Sequence, residues 1–221
     1  MSHRTALAFA PYAAASAFHL WALIVPGAGL APSSKWLLMP TLLFAIGVMC
    51  FRRTGTPIVL VVVAVGLSWC GDVLLGMPGD IGFLIGLGAF FLVHVTYLVL
   101  FLTRLRIRKR LWPIAVFGIW WVALIVILGP SLGVLLVPVG IYGLVLAASA
   151  TAALGCNSWV ATGGVLFLVS DTILAFKLFY PGFSLWQVDV IIMVLYIAAQ
   201  GLIVFGATSS RQPVARMAVA V

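Results

Sequence analysis

Apolar residues run almost without interruption for about 20 positions at a time, stop at short clusters of Pro, Gly, Arg or Lys, and start again. A run of that length spans the hydrocarbon of a bilayer as a helix. A helix on a soluble protein would show a polar stripe, and a barrel strand would alternate; neither pattern is present. In lipid a spanning segment must satisfy its own backbone groups, which leaves the helix. Of 221 residues, 65% are hydrophobic and 7% charged, against about a quarter charged in a soluble domain. The chain is read as an all-α membrane protein. It is expected to form eight transmembrane helices in one bundle, a single polytopic domain over residues 1–221 with no room for a soluble one.

The helices are expected at about 1–25, 36–51, 57–77, 81–102, 111–128, 132–154, 159–179 and 186–206. The first run contains Pro11 and lacks a clear small-x-small site, so it is read as a helix rather than a signal peptide. Breaks fall at Pro26–Gly29, Arg52–Arg53, Pro78–Gly79–Asp80, Gly129–Pro130–Ser131, Gly155–Ser158 and Tyr180–Gly182. A kink is expected at Pro138, and a disordered tail over 207–221. Gly82 and Gly86 permit close approach of a neighbouring helix. Eight crossings put ten basic residues on one side: Arg4, Arg52, Arg53, Arg104, Arg106, Arg108, Lys109, Arg110, Arg211 and Arg216. Lys35 and Lys177 fall on the other. The bias places both termini in the cytoplasm, in a multi-pass protein of the cell membrane. It also accounts for the net charge of +8 without a nucleic-acid partner. Trp21, Trp36, Trp112, Trp159 and Trp186 fall near helix ends, as interfacial anchors. Cys50, Cys70 and Cys156 form neither a disulfide framework nor a zinc motif.

Two carboxylates stand out against this background. The chain has four aspartates and no glutamate. Asp80 and Asp189 fall in or near expected loops. Asp72 and Asp171 lie about fifteen and twelve residues into their helices, at membrane depth, where an ionisable group is costly and marks function. Each is followed 25 positions later by a tyrosine, Tyr97 and Tyr196. The two copies are four helices apart, which suggests two parallel four-helix halves. His94 and Tyr97 share a helix face, as do Tyr196 and Gln200. Each residue also has a structural reading: an aspartate bonded to a neighbouring helix, a histidine bonding between helices, an ordinary membrane tyrosine. Lys35 either meets a phosphate, pairs with an aspartate or anchors at the interface. A protonated and an ionised carboxyl together form an acid–base pair. With His3 and His19 the only other histidines, a three-histidine zinc site is excluded, and no metal or cofactor is expected. No Gly-x-Ser-x-Gly or P-loop pattern occurs, and neither Ser68 nor Ser170 has a neighbouring base in sequence.

At these residues the sequence resembles the YhhN-like family of polytopic membrane lysoplasmalogenases. The resemblance rests on Gly71-Asp72-Val73-Leu74-Leu75, on Gly86-x-Gly88-Ala89-Phe90-Phe91-x2-His94-x2-Tyr97, on Phe167-x2-Ser170-Asp171-x2-Leu174-Ala175, and on Tyr196-x2-Ala199-Gln200, over about residues 20–206. Lys35 resembles the family lysine at the head of the second helix, although Trp36 follows it where the family typically has proline. The resemblance implies an eight-helix hydrolase acting on a lysophospholipid, splitting the vinyl ether of lysoplasmalogens into a fatty aldehyde and a glycerophospho-alcohol. Asp72 and Asp171 would then share acid and base work, with His94 beside them. Tyr97, Tyr196, Gln200, Ser170 and Lys35 would bind or orient. Two other readings use the same residues. One is a proton-coupled carrier of small molecules or lipids. The other is a lipid-binding protein without turnover.

Overall fold

The computed structural model describes residues 3–25, 29–51, 55–108 and 111–209. The expected breaks at Pro26 and at Arg52–Arg53, the basic residues at 109 and 110, and the tail from 210 onward lie outside these. Among the described residues there are nine α-helices: α1 (His3–Ile24), α2 (Ala31–Lys35), α3 (Leu38–Cys50), α4 (Thr56–Leu75), α5 (Asp80–Leu100), α6 (Trp112–Leu132), α7 (Leu136–Ala153), α8 (Ser158–Phe179) and α9 (Val188–Ser209). A π-helical turn, Phe101–Leu105, extends α5, and a 3-10 turn, Gly133–Leu135, joins α6 to α7.

Among the described residues, seven stretches are long and apolar enough to cross a membrane, against the eight expected. The difference is Trp112–Ala153, which stays apolar for 42 residues and counts as one stretch. Within it, the turn falls at Gly133 and not at Gly129–Ser131. Helix α6 runs through Pro130 and stops where Gly133 takes φ +51°, a left-handed conformation that glycine adopts without strain. Helix α7 therefore starts at Leu136, and Pro138 lies in its first turn. There its missing N–H breaks no hydrogen bond, so no kink is required.

The second expected helix is also divided. Pro32 sits in the first turn of α2, and Pro40 in the first turn of α3. A continuous helix would need a Pro40 N–H to bond the Trp36 carbonyl, and proline has none. The Trp69 indole on α4 donates to that carbonyl instead, at 3.1 Å. Lys35 consequently ends α2 rather than heading the long helix. The last helix starts at Val188, two residues later than expected, after Gln187 with φ +50°.

The main core joins α1, α3, α4, α5, α8 and α9 around Leu42, Val65, Tyr97, Phe101, Phe167 and Ile203. Helices α4 and α5 form one close hairpin, and α8 and α9 another. A Cβ at Gly86 would lie 2.8 Å from the Leu75 side chain, so Gly82 and Gly86 mark the expected close approach. Gly163 does the same for the second hairpin, where a Cβ would lie 2.8 Å from the Ala199 carbonyl oxygen. Helix α6 packs outside, on α7. It exposes Ile114, Ile119, Val122 and Val126, as a lipid-facing helix does. The five tryptophans near helix ends are all exposed, Trp186 the most.

Candidate active site

Asp72 lies in the last turns of α4 and is 2% exposed. Its depth follows from its neighbour. Gly71 has no side chain, and the Phe90 ring of α5 occupies the space, 2.7 Å from where a Cβ would be. Phe90 in turn packs edge-on against Phe167 and Tyr196. Two partners meet the buried carboxylate: the Lys35 Nζ lies 2.9 Å from Oδ1, and the Tyr196 hydroxyl donates to Oδ2 at 2.8 Å. Lys35 reaches Asp72 because α2 ends at that level. Of the three readings its sequence position allows, the structure shows the ion pair with an aspartate.

Asp171, on α8, has a different company. The Tyr142 hydroxyl of α7 donates to Oδ2 through a short hydrogen bond, and the His94 Nε2 of α5 lies 3.4 Å from the same oxygen. The state of His94 can be traced outward. Ser149 donates its hydroxyl to the Leu146 carbonyl at 3.0 Å, so towards His94 it acts as acceptor. His94 Nδ1, 3.1 Å away, therefore carries a proton. Nε2 then faces the Asp171 carboxyl at 3.4 Å and makes no hydrogen bond. The imidazole is fixed in this direction by Phe167, whose ring stands edge-on 4.6 Å away.

Both carboxylates line one cavity of about 270 Å³. Lys35, Tyr142, Tyr196, Ser170 and Asp189 share its wall, and the rest is apolar: Phe83, Leu87, Phe90, Val139, Leu174, Leu178, Ile192 and Met193 among others. All of these come from one end of the bundle, where α4 and α8 finish and α5, α7 and α9 begin. Ser170 spends its hydroxyl on the Ile192 carbonyl, at 3.0 Å, which ties α8 to α9. At the rim, Lys177 pairs with Asp189.

His94 stands behind Asp171 and does not line the cavity. Tyr97 and Gln200 lie apart from it. The Tyr97 hydroxyl donates to Gln200 Oε1 at 2.6 Å, Gln200 Nε2 donates to Ser68 at 2.8 Å, and Ser68 donates to the Ala64 carbonyl. This buried chain stitches α5, α9 and α4 together. The contacts run between the two hairpins: Asp72 meets Tyr196 of the second, and Asp171 meets His94 of the first. Tyr142 was not singled out in the sequence, and nothing about a tyrosine in an apolar helix distinguishes it. Asp189 was set aside as a loop residue, yet it reaches the cavity.

The arrangement supplies a carboxyl beside a lysine, a second carboxyl beside an imidazole, and a largely apolar chamber between them. In a comparison with family models, the one described as the YhhN family matches residues 5–207. No curated protein and no solved structure matches the chain.

Proposed function

The chain belongs to the YhhN family, and from that membership we propose that it is a membrane hydrolase cleaving the vinyl ether bond of lysoplasmalogens. The products are a fatty aldehyde and a glycerophospho-alcohol. The observation that carries the reading is the pair Asp72 and Asp171 on one largely apolar cavity, in unlike surroundings. The apolar wall suits an alkenyl chain entering from lipid.

A vinyl ether is hydrolysed by protonating its outer alkene carbon. In this reading Asp171, with the His94 imidazole beside it, is the acid that delivers the proton. The new C–H bond forms at the expense of the π bond, and the positive charge spreads over the inner carbon and the ether oxygen. Asp72, kept company by Lys35, faces that oxocarbenium ion as a carboxylate. Water adds to the inner carbon and gives a proton back to Asp171, as the acid of a glycosidase pair becomes its base. The resulting hemiacetal transfers its hydroxyl proton to the ether oxygen and breaks into aldehyde and alcohol. Substrate and one water are consumed, and the enzyme returns to its starting state. Tyr142 holds Asp171 in place, and Tyr196 holds Asp72.

We place the protein in the cell membrane with eight crossings. At a rise of about 1.5 Å per residue, 42 residues form a helix roughly twice the thickness of a bilayer core. Trp112–Ala153 turns back at Gly133, and α6 packs on α7. Both termini then share the cytoplasmic side, and the cavity opens towards the opposite face. The crossed contacts between the two hairpins support a relation between two four-helix halves.

The test is direct. The purified chain in mild detergent is offered a lysoplasmalogen and the matching ester lysolipid, and aldehyde and fatty acid are followed. The expected result is aldehyde release, lost in Asp72→Asn and in Asp171→Asn. Fatty acid release would keep the hydrolase and move the bond. Near wild-type turnover in both folded variants would overturn the mechanism. A folded protein giving no product belongs in liposomes, where coupled flux would establish the carrier reading instead.

A further inference from the structure

The opposite end of the bundle carries a second cavity, of about 440 Å³, between α5, α6 and α7. Its body is apolar: Leu98, Leu102, Ile114, Phe117, Leu144 and Ala148. Trp121 adds an indole whose N–H is already spent on the Gly140 carbonyl at 2.9 Å, and Thr151 adds one hydroxyl. Its mouth is different. Arg106 and Arg108 line it, on the extended segment that follows the π-helical turn.

That segment is held in place. The backbone N–H groups of Ile107 and Arg108 both donate to the Gly155 carbonyl, at 2.8 and 3.0 Å. A Cβ at Gly155 would lie 2.7 Å from the Arg108 carbonyl oxygen, so the strap lies flat on the α7–α8 turn because residue 155 is glycine. The guanidiniums are exposed, and among the described residues neither has a carboxylate partner. Asp72, Asp171 and Asp189 line the first cavity, and Asp80 opens α5 at that same end. Two uncompensated cations fixed at the mouth of an apolar groove, at a helix-end level, complement one chemistry: an anionic head on a hydrocarbon chain.

We propose that this groove binds a phospholipid with a net anionic headgroup, one acyl chain lying between α5, α6 and α7 and the phosphate on Arg106 and Arg108. The site is separate from the carboxylate cavity and does not depend on the reaction assigned there. The occupant is a lipid of the leaflet that faces the basic end, attracted by charge and retained by the chain.

The test is native mass spectrometry of the full chain in a neutral detergent, with phosphatidylglycerol and phosphatidylcholine at equal concentration as probes. Phosphatidylglycerol is expected to be retained in preference. The double variant Arg106→Gln/Arg108→Gln should lower its retention by roughly fivefold per arginine, leaving phosphatidylcholine unchanged. Gly118 lines the groove, and nothing lies within 4 Å of its would-be Cβ, so Gly118→Leu fills the space without a clash. It should lower retention of both lipids. Equal retention in the wild type, or a preference that survives the double variant, would overturn the proposal. So would Gly118→Leu without effect, which would leave charge on the loop and no chain site. Displacement of phosphatidylglycerol by excess inorganic phosphate would also overturn it, in favour of a plain anion site.

Discussion

Tyr142 and Tyr196 do the same thing to two different carboxylates, and the difference between their surroundings sets what each substitution costs. Asp171 has a hydroxyl and an imidazole as partners, with no lysine. Tyr142→Phe removes the hydrogen bond that aims it, and is expected to lower kcat roughly 10- to 100-fold with KM little changed. Tyr196→Phe leaves Asp72 its ion pair with Lys35 and should cost less. Aldehyde release over a substrate series separates the two. Gln200 acts elsewhere. Gln200→Leu strands the Tyr97 hydroxyl in the core, an unsatisfied group costing about 1–3 kcal/mol, while Ser68 keeps its bond to the Ala64 carbonyl. A lowered midpoint in thermal unfolding is expected, with turnover per folded molecule retained. The aspartates were legible because a charge in an apolar run is rare, and nothing local explains it away. Tyr142 was not, since its role depends on α7 and α8 being neighbours. The pairing of Asp72 with Tyr196 was hidden for the same reason, because spacing along the chain carries no information about which hairpin a side chain faces.

Helix boundaries depend on single residues that a hydropathy pattern passes over. The long apolar runs are visible from composition alone, and the structure keeps nearly all of them. The shifts occur at proline and glycine. Pro130 stands inside a helix and Gly133 ends it, whereas the sequence places the turn at Gly129–Ser131. Pro40 divides the second run, and a tryptophan 33 positions away takes the orphaned carbonyl. Glycines at contacts can be told from glycines that face lipid. Gly163→Ala drives a methyl against the Ala199 carbonyl and is expected to cost about 1–3 kcal/mol. Gly47 has nothing within 4 Å of a would-be Cβ, so Gly47→Ala should be neutral or stabilising by up to about 1 kcal/mol. Chemical unfolding of both variants in one detergent decides it. The turn between α7 and α8 permits a check by labelling. Burial pushes the Cys156 thiol up to about 12, against the opposing Arg106 guanidinium. Its sulfur lies 3.8 Å from the Phe101 carbonyl and 3.6 Å from that of Ala152. Maleimides react with the thiolate, which is scarce at every pH below that value. Cys156 should therefore resist a water-soluble maleimide at neutral pH and become reactive on unfolding, as mass spectrometry of the labelled peptide will report.

Among the described residues, the aspartates and the arginines that follow α5 lie at opposite ends of the bundle, with Lys35 and Lys177 beside the aspartates. The aspartates gather at the end with the carboxylate cavity, while Arg104, Arg106 and Arg108 follow the far end of α5. Small tags on both termini should be shielded from protease added outside intact cells and cut once the membrane is opened. A tag cleaved from outside at either end would refute the eight-crossing arrangement. The fold class was legible because lipid permits so few backbones. The assembly of the site was not, since it is written in contacts between helices far apart in sequence. That distance has a consequence for how the protein is made. Asp72 waits for a hydroxyl on α9, and Asp171 and His94 come from hairpins separated by the α6–α7 pair. No partly synthesised chain holds both carboxylates with all their partners, so a ribosome that stalls before α9 leaves the site incomplete. On the proposed chemistry, reactivity would switch on at once, when α9 docks.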